Sequence, residues 1–211
     1  MEITPDPIDE ALRSTGLRRL GSFQPEPSDG VPDCQETSTL ILVGNAGPDM
    51  WRVFSSSDID ENDPNPLDNW SRRVLGDVAE VLTRRLSVYV QALFPFDGPP
   101  YMPFQRWALR SGAVHPSPIG PLIHGDYGLW HAYRGALLIA AELKDAPPDQ
   151  TVSPCLVCTE KPCLTTCPVN AFSEHGYDVP ACLDLLEKHP NGDCLSASCL
   201  ARRACPVGRA Y

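Results

Sequence analysis

The chain has 211 residues, enough for one large domain or a main domain with a small appendage. Its formal charge of −10 argues against nucleic-acid binding, which needs a basic stripe to neutralise phosphates, and its 42% apolar content argues against a wholly disordered chain. No apolar run approaches the roughly 20 residues that span a bilayer, so no membrane association is expected.

The opening residues Met1 to Asp6 carry acids and a proline where a secretion signal would be basic and then apolar, which leads to the expectation of a cytoplasmic protein. Residues 1–36 are acidic and proline-rich, with a short helix expected near Ile8–Gly16. The apolar run Thr39–Val43, closed by Gly44-Asn45, predicts a buried strand. The acid-rich stretch Asp58 to Pro64 loosely resembles a calcium loop. Asp63 stands at its glycine turn position and Asn69 at its closing glutamate, so a solvated loop is the preferred reading. From Leu67 to Leu86, apolar residues at Leu67, Trp70, Val74, Leu75, Val78, Val81, Leu82 and Leu86 share one helical face. Asp68 is the expected N-cap, and Glu80–Arg84 an outer pair. Tyr89–Phe94 predicts a strand, Phe104–Arg110 a short helix, and Gly135–Ala141 another buried strand. Asp145 to Asp149 marks the expected domain boundary, dividing the chain into 1–150 and 151–211. The second segment has 5 basic and 6 acidic residues and no long apolar face, so metal would have to supply stability that its core lacks.

Eight of the nine cysteines lie between Cys155 and Cys205; Cys34 stands apart as a free thiol with no special role. In a reducing compartment such a cluster binds metal more readily than it forms disulfides. The first group is Cys155-x2-Cys158-x4-Cys163-x3-Cys167-Pro168. The second is Cys194-x4-Cys199-x5-Cys205-Pro206, with Cys182 between them. Bacterial two-cluster ferredoxins follow three close cysteines with a Cys-Pro whose thiolate ligates the other cluster. Applied here, one [4Fe–4S] cluster takes Cys155, Cys158, Cys163 and Cys205, and the other takes Cys167, Cys182, Cys194 and Cys199. All eight thiolates are then used. The loops are longer than the two residues of a strict ferredoxin, and two four-cysteine zinc sites remain the alternative. Lys161, Arg202 and Arg203 are placed to offset cluster charge.

The C-terminal 60 residues resemble the two-cluster ferredoxin module of the epoxyqueuosine reductases and reductive dehalogenases, in which a lone helical cysteine completes the second cluster, as Cys182 would in Val179-Pro180-Ala181-Cys182-Leu183. The stretch Ile123-His124-Gly125-Asp126-Tyr127-Gly128-Leu129-Trp130-His131-Ala132-Tyr133-Arg134-Gly135 is similar to a motif of the cobalamin-processing CblC family. These resemblances imply an α+β fold, a nitroreductase/CblC-like sheet with flanking helices followed by a small ferredoxin-like module. They also imply that His124, Trp130 and Arg134 line a pocket for a corrinoid or flavin. The proton-donating Asp of the reductases has no close match, since the nearest upstream acid is Asp97; Tyr101 and His115 are the alternative donors. Read as residues alone, His124 is a structural histidine and Trp130 and Tyr133 are core aromatics. Arg134, if buried, needs an anionic partner.

The first expectation is an iron–sulfur electron carrier serving a redox partner protein, which the acidic first domain would meet through basic charge. The second is a reductase acting over a corrinoid or flavin near His124, with the clusters as electron supply. The third is a zinc-stabilised interaction module. The residues leave open whether the chain is an enzyme.

Overall fold

A computed structural model describes residues 2–35, 38–60, 62–144, 152–173 and 176–209. In chain order these form β1 (Glu2–Ile3), α1 (Asp6–Arg13), β2 (Arg18–Phe23), β3 (Thr39–Ala46), α2 (Asp49–Ser55), α3 (Pro66–Leu86), β4 (Val90–Leu93), α4 (Phe104–Arg110), β5 (Val114–His115), β6 (Ile123–His124), β7 (His131–Ile139) and β8 (Glu142–Leu143). There follow α5 (Pro154–Val157), α6 (Pro162–Thr165), β9 (Phe172–Ser173), β10 (Gly176–Tyr177), α7 (Val179–Lys188), α8 (Asp193–Ser196) and α9 (Leu200–Ala204). The chain divides into two compact units, one of residues 1–113 and 131–150, the other of 114–130 and 151–211.

The larger unit is built on a four-stranded antiparallel sheet in the order β2-β3-β7-β4, with β1 and β8 paired in parallel beside it. Leu40, Ile41, Leu42 and Val43 of β3 are all fully buried, because a central strand has both faces covered. On one face, Ile41, Val43, Leu137 and Ile139 pack with Ile8 and Leu12 of α1 and with Trp70, Leu75, Val78 and Leu82 of α3. These α3 residues recur every three or four positions, the stripe the sequence predicts. Pro66 opens α3, where its missing N–H would have no helical partner anyway. Asp68 does not cap this helix. Asn65 holds the cap position, and Asp68 lies within the first turn, where it pairs with Arg134. In the acidic loop, Asp60 accepts from the Asn62 N–H, and Asp63 accepts from the Asn65 N–H and the Asn69 amide. Those bonds favour the ionised form and hold the Asp63 carboxyl below its usual range.

Two elements depart from the sequence reading. β2 (Arg-Arg-Leu-Gly-Ser-Phe) buries Leu20 alone, and its pairing with β3 shifts between Arg19 and Ser22; such an edge strand carries no alternating signal. α2 is a seven-residue helix anchored by Met50 and Phe54, too short for its period to show.

The smaller unit has a different make-up. The pair β5–β6 and the hairpin β9–β10 are two residues per strand, and four of its five helices are single turns. Its apolar cluster is Ile119, Ile123, Leu129, Ala201 and Cys205, ringed by Cys155, Cys163, Cys167, Cys199, Phe172 and Val207. Segment 114–130 therefore belongs with the cysteine region rather than with residues 1–113. Two further contacts tie it there. Arg202 donates from Nε and Nη2 to the Leu129 carbonyl at 3.0 and 2.6 Å. Gly128 and Gly208, both with positive φ, press backbone to backbone: a Cβ on Gly128 would fall 2.1 Å from the Val207 carbonyl oxygen, and one on Gly208 would fall 2.2 Å from that of Tyr127. The expected linker at 145–149 lies outside the described residues.

Candidate metal centres

Each cysteine is placed by a short, punctuated element. Cys155 and Cys163 sit in α5 and α6, each opened by a proline that cannot extend a helix backward. Lys161 adopts a left-handed conformation before α6, which turns the long Cys158–Cys163 loop back on itself. Cys182 lies on α7, whose N-terminus is capped by Asp178 accepting from the Ala181 N–H at 3.0 Å. Cys194 is on α8, Cys199 precedes α9, and Cys205 follows it. Ser198, left-handed at φ 75°, turns the chain just before Cys199.

All nine cysteines are free thiols. Cys205 is buried, and the other seven of the C-terminal region are half-buried. Cys34 is exposed, in the other unit. Burial pushes the Cys155 thiol up, and so does the neighbouring charge of Cys205 and Cys158. Cys163 is raised by the same causes in the same order: burial, then Cys205, Cys155 and Cys158. These four therefore share one electrostatic neighbourhood, although Cys205 is 42 residues beyond Cys163 in the chain. Ionising one opposes ionising the next. Lys161 and a hydrogen bond from Ser153 partly relieve Cys155.

The Tyr177 phenol is pushed up to about 12, chiefly by its contact with Cys182, then by burial and the charges of Cys182, Cys199 and Cys167. Cys167 accepts the Ala171 N–H at 3.3 Å, a backbone donor of the kind that steadies a thiolate.

Among the described residues, no group of three or more His, Cys, Asp or Glu side chains converges to hold a metal ion. A mononuclear zinc needs four sulfurs about 2.3 Å from a single point. An iron–sulfur cube instead takes its four thiolates at separate corners, further apart. The thiols of the C-terminal region are free, seven half-buried and Cys205 buried.

The residues of the CblC-like motif are divided between the two units: His124 and Trp130 fall in the smaller, Arg134 in the larger. His124 Nδ1 accepts the backbone N–H groups of Asp126 and Tyr127 at 3.1 and 3.4 Å, and its ring lies 4.6 Å from that of Tyr127. Its backbone pairs with Gly128 in both directions, so the side chain closes a turn from within. Burial lowers its pKa, the charge of Asp126 opposing this. Trp130 is half-buried rather than core, its ring covered by the Arg202 guanidinium at 4.5 Å. Tyr133 is also half-buried; its hydroxyl is fully enclosed, and burial raises its pKa far above the usual range.

Arg134 is the extra residue of a β-bulge, where the β3–β7 register shifts from Val43–Gly135 to Gly44–Tyr133. That places it 3.8 Å from the Asp68 carboxylate, with 21% of its side chain exposed. The anionic partner its burial demands is thus supplied by α3. Asp97 pairs with Arg72 at 2.6 Å, Tyr101 is largely exposed, and His115 lies on β5. Tyr177 escaped the site reading because its nearness to Cys182 is set by folding rather than by spacing, and Arg202, read as a charge beside the clusters, bonds the Leu129 carbonyl.

No protein-family model and no curated protein matches the sequence. Among solved structures the chain is similar to a selenomethionine-labelled epoxyqueuosine reductase, at 13% identity and a TM-score of 0.57, with 97% of this chain and 65% of that one covered. The two share a fold. The chain thus spans about two thirds of that reductase's length. It also aligns with the C. elegans B12-trafficking protein CblC at 14% identity and a TM-score of 0.48, covering 94% of this chain and 83% of that one. No helix among the described residues is long and apolar enough to cross a membrane.

Proposed function

We propose that the protein is an iron–sulfur electron carrier with two [4Fe–4S] clusters. Cys155, Cys158, Cys163 and Cys205 hold one, and Cys167, Cys182, Cys194 and Cys199 the other, in a ferredoxin-like module. What supports the reading is that Cys205, from the far end of the module, packs in one cluster with Cys155 and Cys163, and its charge raises both thiols. A crossed ligand set requires this; two consecutive four-cysteine sites would not. The clusters supply one-electron transfer. The chain's own residues hold and insulate them: the apolar cluster around Leu129 and Ala201 packs against Cys155, Cys163, Cys167 and Cys199, and the Ala171 N–H donates to Cys167. Electrons pass to a partner protein in a reducing compartment, with the acidic surface speeding association with basic partners.

A second reading is favoured by the fold shared with a reductase: the clusters feed a corrinoid or flavin held near His124 and Trp130. In this reading Trp130 would offer its ring and the Arg202 guanidinium an anion contact.

Protein purified without oxygen and reduced with dithionite tests both. The carrier reading expects paramagnetic resonance signals of two magnetically interacting reduced clusters and no organic cofactor. Retained cobalamin or flavin supports the reductase. Zinc without acid-labile sulfide rejects both.

A further inference from the structure

β2 and β4 are the two edges of the four-stranded sheet, and they end it differently. β2 carries Arg18 and Arg19, and its pairing with β3 shifts between Arg19 and Ser22; charge and an irregular register blunt an edge against further pairing. β4, Val-Gln-Ala-Leu, has no charge, no proline and an unbroken register with β7. The Ala140 N–H donates to the Tyr89 carbonyl at 3.0 Å, so by alternation Gln91 and Leu93 turn their backbone groups to β7, and Val90 and Ala92 turn theirs outward. The outward Val90 N–H is taken by the Thr83 hydroxyl of α3 at 3.1 Å. The Val90 carbonyl and both backbone groups of Ala92 meet no partner among the described residues. Beside them runs an open groove of about 460 Å³ between α3 and β4, lined by Gly76, Glu80, Thr83, Arg84 and Tyr89 among others, all in the larger unit.

We propose that this edge is a homodimer interface, in which β4 of a second copy pairs antiparallel with β4 about a two-fold axis at Gln91 and extends the sheet to eight strands. This goes beyond the cluster reading and does not depend on it. The free groups are reciprocal about that axis: the Ala92 N–H of each copy donates to the Val90 carbonyl of the other. α3 supports the same axis. It runs antiparallel to β4, since Thr83 lies level with Val90 and Leu75 reaches Gly135 beside the Leu93 carbonyl. One strand residue therefore corresponds to about two helix residues, and the axis at Gln91 passes between Glu80 and Arg84. These two are joined at 3.5 Å and largely exposed. The two-fold turns Glu80 of each copy toward Arg84 of the other, so the surface is complementary to itself in charge as well as in hydrogen bonding. Paired strands lie about 4.8 Å apart, and α3 packs over both β4 and β7, which brings the two copies of α3 to roughly 10 Å, an ordinary helix-packing distance. A Cβ at Gly76 would meet nothing within 4 Å, which leaves room for that approach. The helices are needed, because four-residue strands alone fall short of the roughly 1,200 Å² that a stable interface buries.

The test is sedimentation equilibrium of the full chain, prepared without oxygen, over a concentration series. The expected result is a reversible dimer of twice 23.1 kDa, with the Ala92 N–H protected from hydrogen exchange in concentrated solution and released on dilution. Ala92→Pro deletes the outward N–H without touching the ladder to β7, and should raise the dissociation constant about tenfold or more. Glu80→Arg should weaken the dimer by setting like charges across the axis, and adding Arg84→Glu should restore it. Should Ala92→Pro fail to fold, the charge reversal and its rescue decide alone. A chain that stays at 23.1 kDa at every concentration overturns the inference and leaves the edge to an extended segment of another protein. A dimer that none of these substitutions weakens overturns it too, because its interface then lies on another face.

Discussion

In the larger unit, α3 buries Trp70, Leu75, Val78 and Leu82 against two central strands, whereas the ten-residue α7 of the smaller unit buries none of its side chains. The single-turn helices α5, α6 and α8 bury none either. Apolar burial at roughly 25 cal/mol per Å² accounts for order in the first unit. In the second, the cluster around Ile119 and Ala201 is too small to offset the entropy of ordering so many loops. One half of the molecule is held by its core. The other, on the cluster reading proposed above, takes its order from an inorganic core that eight thiols surround.

The comparison is broken most directly by removing metal. Chelation of iron should abolish hydrogen-exchange protection in 114–130 and 152–209 together and leave β3, β7 and α3 protected. Retained protection in the smaller unit would show that it stands without metal. Segment 114–130 sharpens the test, because the Gly128–Gly208 contact and the Arg202–Leu129 bonds place its fate with the cysteines. Next in size, Cys182→Ala should halve iron and sulfide and spare the first set, since Cys182 has no place in that quartet. Leu75→Ala should act in the opposite unit, costing about 2–5 kcal/mol of stability in denaturant titration with iron content unchanged.

Smaller effects follow from single polar groups. The lowered pKa of His124 means that the unfolded chain binds its proton more readily than the folded one does. Its contribution is full above the ordinary histidine value of about 6.5 and is lost as pH falls below that toward the folded value. Protection of the 124–128 turn should weaken over that range, and His124→Gln should flatten the dependence. The smallest effect is expected at the bulge. Asp68→Asn breaks a partly exposed pair to Arg134 and should cost no more than about 1 kcal/mol in the same titration.

What the sequence disclosed follows the same division. β3, β7, α3 and α4 were legible because burial there is periodic or continuous; α4 spans Phe104–Arg110 as its pattern predicts. β2, with two arginines and one buried leucine, was not. Nor was the membership of 114–130 in the cysteine unit, since Gly128 meets Gly208 across eighty residues of chain. Arg134 was legible in type, as a charge needing a partner, but its partner Asp68 read as a helix cap.

Iron and acid-labile sulfide per chain, measured on protein prepared without oxygen, test the central claim. The two crossed quartets predict about eight of each. Two zinc ions and no sulfide would contradict them.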